Sequence, residues 1–128
     1  CMSNSRRSQM AEAIYNKFSS GAQSAGIDQA GGNYSIDPNV LTVLNEIGIE
    51  TKNLKAKKVT EEMMEHADQI IAFRCAEHIP EKYRFKVSEW ELGVKREPGR
   101  KQTERTLDEI RKMRDLNLEK VKKEILKK

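Results

Sequence analysis

The stretch CMSNSRRSQMAE, residues 1–12, places a cysteine, five intervening residues, then Arg7-Ser8 at the start of a helical pattern. Met10, Ala11, Ala13, Ile14 and Phe18 follow at helical spacing, so a helix is expected from about Ser8 to Phe18. A loop that ends in a helix N-terminus turns its backbone N–H groups inward and adds the helix dipole, a ready cradle for an anion. The same positive field lowers a thiol pKa, which makes Cys1 a thiolate near neutral pH and a competent nucleophile. Arg7 can grip two oxygens of a tetrahedral anion with its planar fork. Asn4 and Ser5 are small polar residues able to tie the loop to its own backbone, and Ser8 can donate a hydrogen bond to the thiolate. Together Met2, Ser3, Asn4, Ser5, Arg6, Arg7 and Ser8 read as an oxyanion-binding loop around the Cys1 sulfur.

Outward from that loop, strands and helices alternate. Ala22–Gly26 (AQSAG) is short and small and reads as a strand close to another backbone, followed by a loop at Gly31-Gly32. Asp37-Pro38 is a helix start, with Asp as N-cap and Pro at the first helical position. Val40, Leu41, Val43, Leu44 and Ile47 form its apolar stripe and Gly48 closes it. Thr60-Glu61-Glu62 opens another helix with acidic residues in its first turn, and Met63, Met64 and Ala67 face inward. Gln69–Phe73 (QIIAF) is continuously apolar, as a strand buried on both faces must be, and Tyr83–Val87 is a weaker strand. Arg96–Thr103 is a short polar loop. From about Thr103 the chain is expected to be helical, with Leu107, Ile110, Met113, Leu118, Val121 and Ile125 near helical spacing. The alternation argues α/β with a parallel sheet.

The 128 residues suit one domain. Net charge of +4 fits an anionic substrate, but the basic residues are interleaved with 20 acidic ones and only 5% of the chain is aromatic, so no stacking platform for nucleic acid exists. No apolar run reaches the ~20 residues that cross a bilayer. Two cysteines make no disulfide framework, and a reactive one belongs in a reducing cytoplasm. Two histidines and two cysteines show no metal-ligand spacing, and no cofactor is implied.

CMSNSRRSQMAE resembles the phosphate-binding loop and first helix of the low-molecular-weight protein tyrosine phosphatase and arsenate reductase family, and the likeness runs through the later helix starts to Arg111–Asp115. It implies a single domain over residues 1–128. The implied fold is three-layered and flavodoxin-like, with a four-stranded parallel sheet flanked by helices. In that family an apolar central strand runs directly into the loop, so the first central strand is expected upstream of Cys1, missing from these residues. Carried over, Cys1 is the nucleophile, Arg7 the oxyanion clamp, Asn4 the residue that shapes the loop, and Ser8 the one that tunes the thiolate.

The resemblance also implies a general acid. Family members use Asp-Pro beyond the last strand, and Glu97-Pro98 occupies about that place here, with Glu91 a second candidate. The expected chemistry is hydrolysis of a phosphomonoester, phosphotyrosine above all, through a Cys1 phosphoryl-enzyme. Gln9, where the phosphatase branch more often has Pro, resembles the arsenate reductase branch. That alternative has Cys1 attacking arsenic, with Cys75 or an external thiol such as thioredoxin or glutaredoxin completing the cycle. Cys75 otherwise reads as a structural thiol at a strand end. A non-enzymatic oxyanion-binding module is the further alternative. Substrates are accordingly phosphotyrosine or small phosphate and arsenate, with neither nucleic acid nor membrane as partner.

Overall fold

The structure, a computed structural model, describes residues 4–27, 35–91 and 105–127. Its helices are α1 (Arg7–Phe18), α2 (Pro38–Glu46), α3 (Glu61–His66) and α4 (Leu107–Leu126), and its strands are β1 (Ile70–Ala72) and β2 (Val87–Glu89). β1 and β2 pair in parallel, Ile70 opposite Val87 and Ala72 opposite Glu89. Parallel pairing requires a crossover, here supplied by the 3-10 turns Ala76–His78 and Glu81–Lys86.

The period-2 alternation of β1 separates two apolar layers. Ile70 and Ala72 pack with Met64, Cys75, Ile79 and Tyr83 on one face. Ile71 and Phe73 pack on the other, against Met10, Ile14, Val40, Val43, Leu44, Ile110, Met113 and Val121 from α1, α2 and α4. Within QIIAF, the apolar Ile70–Ala72 is therefore a strand with apolar layers on both sides, flanked by exposed Gln69 and by Phe73 just beyond it.

The helix starts follow the sequence closely. The Asp37 carboxylate accepts from the Asn39 backbone N–H, and the Thr60 hydroxyl accepts from that of Met63. α4 starts later than Thr103. Thr106 is its N-cap, and a reciprocal capping box links it to Glu109, whose buried carboxylate also receives Arg105 at 2.9 Å. Ile47 and Phe18, both assigned to apolar stripes, are partly exposed at helix ends.

Two strand assignments need correction. Tyr83–Lys86 is 3-10, and the strand begins at Val87. Pro80 starts this turn and its carbonyl accepts from the Tyr83 N–H at 3.0 Å, while the Tyr83 hydroxyl donates to Glu61 at 3.2 Å. Lys86 then donates to the carbonyls of Glu65 and Ala67, satisfying the C-terminal end of α3. Ala22–Gly26 is extended but makes a ladder contact only at Gly26, which bridges Lys58 in parallel, among the described residues. Ala22–Ala25 and Ile70–Phe73 both line a cleft of about 510 Å³.

The Thr106–Glu109 box should govern the stability of α4. Thr106→Ala is expected to cost about 1 kcal/mol in urea unfolding. The Thr106 backbone N–H, followed by Arg105, holds the Glu109 carboxyl below its ordinary value. The stability it contributes is thus present above the unfolded carboxylate pKa of about 4.3 and lost as pH falls through the lower folded value. Glu109→Gln should flatten that acid limb, and an unchanged limb would contradict the assignment.

Candidate active site

Asn4 lies at φ 55°, in the left-handed region that Asn tolerates better than most side chains, and it is completely buried. Its amide is fully used. Nδ2 donates to the hydroxyls of Ser8 and Ser24, both at 2.9 Å. Oδ1 accepts from Gln9 Nε2 at 2.8 Å and from the Lys57 backbone N–H at 2.9 Å. One side chain thus joins the loop, the first turn of α1, the extended Ala22–Gly26 segment and the chain around residue 57, with every donor and acceptor satisfied.

A second ring of bonds closes around the first. Ser24 donates to Glu12 Oε1 through both its backbone N–H at 2.7 Å and its hydroxyl at 2.9 Å. Glu12 in turn lies 3.8 Å from the Lys57 ammonium. Gln9, fully buried, donates to the Asn4 carbonyl at 3.1 Å and to the Lys55 carbonyl at 3.0 Å. The residue that resembles the reductase branch therefore has a structural duty here, fastening the loop to the 55–57 segment.

The next three loop residues are held from outside. The Ser5 carbonyl accepts from the Asp37 N–H at 3.2 Å, and Arg6 Nε donates to the Asp37 carboxylate at 2.8 Å. The same aspartate therefore caps α2 and anchors the loop. The Arg7 carbonyl accepts from Asn117 Nδ2 of α4 at 3.2 Å.

The Arg7 guanidinium differs from its neighbours. Its Cζ lies 6.0 Å from the Phe73 ring centroid, and the Phe73 ring meets Trp90 edge-on at 5.9 Å. Among the described residues no carboxylate pairs with Arg7, whereas Arg6 has Asp37 and Arg105 has Glu109. Burial, and after it the positive charges of Arg105 and Arg74, depress the Arg7 pKa, while Cys75 acts in the opposite sense. A guanidinium keeps its proton under such pressure, so among the described residues Arg7 is a cation without a carboxylate partner.

Of the residues singled out from sequence, Asn4, Ser5, Arg6, Arg7 and Ser8 are brought together. Cys1, Met2, Ser3 and Glu97 lie outside the described residues. Cys75 is free and buried just past β1. Glu91, the other acid candidate, is exposed and lies 3.8 Å from Arg74. Sequence reasoning did not find Ser24, Lys57, Asn117 or Arg105 at the site, since tertiary contacts across up to 110 positions place them there. The TLDE capping signature at 106–109 was the one local signal that could have pointed to Arg105.

The family model of the low molecular weight phosphotyrosine protein phosphatases matches residues 1–127, and the chain belongs to that family. Its members hydrolyse phosphoric monoesters, and arsenate reductases fall within the same family. The chain is similar in three dimensions to Wzb of Vibrio vulnificus solved with benzylphosphonate, at 18% identity and TM-score 0.80, covering 100% of this chain and 94% of that one. It is also similar to a YwlE mutant from Bacillus subtilis, at 27% identity and TM-score 0.74, covering 100% and 95%. A third relative, the low molecular weight protein tyrosine phosphatase of T. tengcongensis, shares 24% identity at TM-score 0.78 over 100% and 95%. No curated protein matches the chain by sequence. The flavodoxin-like α/β fold and the reading as a cysteine-dependent phosphatase both stand on this membership.

Asn4 should be the loop's keystone. Asn4→Ala is expected to cost on the order of 2–4 kcal/mol, because buried partners lose their bonds and alanine is strained at positive φ. Asn4→Gly loses the same hydrogen bonds but relieves the backbone strain. If the amide is what matters, urea denaturation should find Asn4→Gly nearly as destabilised, and near-native stability would refute that.

Proposed function

We propose that residues 1–128 form one catalytic domain that hydrolyses phosphomonoesters of phosphotyrosine type, with Cys1 as nucleophile and Arg7 as oxyanion clamp. The observation that carries this reading is Arg7 itself, fixed at the start of α1 with no carboxylate of its own among the described residues. A dianionic phosphate supplies the missing negative charge, and donors held in place by the hydrogen bonds around Asn4 need little reorganisation in the transition state.

The Cys1 thiolate attacks phosphorus, and the bond to the leaving oxygen breaks as Glu97 protonates that oxygen. A phosphoryl-cysteine results. Glu97, now a carboxylate, takes a proton from water as it attacks phosphorus, releasing inorganic phosphate and restoring the thiolate. Ser8, whose hydroxyl is held by Asn4, steadies the sulfur as it leaves.

A second reading rests on Cys75, a free buried thiol two residues beyond Phe73, whose ring faces Arg7. If arsenate occupies the loop, Cys75 or an external thiol such as thioredoxin or glutaredoxin would resolve the Cys1 adduct. We favour the phosphatase, since the family model spans the chain and Gln9 is accounted for by its bonds to the loop. A cytoplasmic setting suits a reactive thiol, and no helix among the described residues is long and apolar enough to cross a membrane.

With p-nitrophenyl phosphate the protein should show a burst followed by steady turnover, and Cys1→Ser should abolish both. Arg7→Ala is expected to lower kcat/KM by roughly 10²–10³. Glu97→Gln should slow poor leaving groups most, by about 10² or more. Phosphate binding without turnover would overturn the enzymatic reading. Arsenate-dependent thiol oxidation in place of ester hydrolysis would favour the reductase.

A further inference from the structure

Arg74 stands immediately after Phe73, the residue whose ring faces Arg7, and immediately before buried Cys75. It occupies the left-handed region at φ 61°, an unusual conformation for a non-glycine residue. Its carboxylate contact is Glu91, which follows Trp90 at the carboxyl end of β2. That contact is 3.8 Å long, with both side chains 68% exposed. The other arginines around the loop are committed differently. Arg6 and Arg105 form short ion pairs at 2.8 and 2.9 Å with side chains at most 27% exposed, and Arg7 faces the anion site. An exposed pair at nearly 4 Å is weak and screened, so Glu91 is readily exchanged for another carboxylate.

We propose that Arg74 is a specificity-determining residue that binds an acidic side chain flanking the phosphorylated residue of a protein substrate. The recognition rests on the phosphatase reading given above. Arg7 holds the phosphate, Arg74 offers a second cation beside it, and Glu91 acts as an internal stand-in that the substrate's carboxylate displaces. Such a contact is made to a part of the substrate that does not react, so it should appear mainly in KM.

The test compares two phosphotyrosine peptides that differ only in having glutamate or glutamine on both sides of the phosphotyrosine. The wild-type protein should prefer the acidic peptide by about three- to fivefold in kcat/KM, and the preference should shrink in high salt. Arg74→Asn removes the charge while keeping a side chain that tolerates positive φ. It should erase the preference and leave p-nitrophenyl phosphate turnover unchanged. Arg74→Lys should retain most of the preference, and Glu91→Gln should enlarge it by removing the competitor. Equal rates for the two wild-type peptides, or a preference that survives in Arg74→Asn, would overturn the proposal. Absence of turnover on both peptides and on p-nitrophenyl phosphate would instead sink the phosphatase reading beneath it.

Discussion

The architecture of the site depends on one primary amide. Asn4 fills all four of its side-chain hydrogen-bonding positions while fully buried, and its partners come from three separate stretches of chain. A buried amide with a bond missing is costly, so each partner must be in place for the others to be stable. The Ser24–Glu12–Lys57 connection then returns to the residue whose backbone N–H the amide accepts. The loop is therefore held as a closed circuit rather than by a series of independent ties. Such closure suits a site that must present preformed donors to a tetrahedral anion.

Electrostatics follow from how the surrounding charges are distributed. Clustered arginines repel one another, and Arg6 and Arg105 are each neutralised by a short ion pair that also has a structural purpose. Asp37 caps α2 as well as binding Arg6, and Glu109 completes the α4 capping box as well as binding Arg105. Arg7 receives aromatic contact from Phe73 instead of a carboxylate. Phe73 directly follows β1, so the segment that leaves the sheet both joins the core and sets a floor under the guanidinium. Among the described residues no carboxylate balances Arg7, and that links the fold to the chemistry proposed for it.

Much of this was legible in the chain because the decisive signals are local. Helix starts at Asp37-Pro38 and Thr60 declare themselves through capping chemistry that acts within three residues, and QIIAF declares a strand through its unbroken apolar character. The loop was legible through residue types at fixed spacing. What escaped was whatever depends on distant partners. Tyr83–Lys86 has strand composition, but Pro80 and the bond from Tyr83 to Glu61 bend it into a 3-10 turn. Asn117 looks like an ordinary polar residue in α4 until the fold sets it against Arg7. Gln9 resembled a marker of reaction type, and its three bonds show that it braces the loop.

The Asn117 bond to the Arg7 carbonyl spans 110 positions, and it carries a consequence for how the protein matures. Contacts this distant in sequence close late, because the entropy of the intervening chain must be overcome first. During synthesis Asn4 and Arg7 leave the ribosome well before Asn117, which lies 110 positions beyond Arg7. Between those moments the loop lacks its α4 brace. Assembly order therefore delays the finished loop: a nascent chain carries Arg7 long before its brace from α4 is in place.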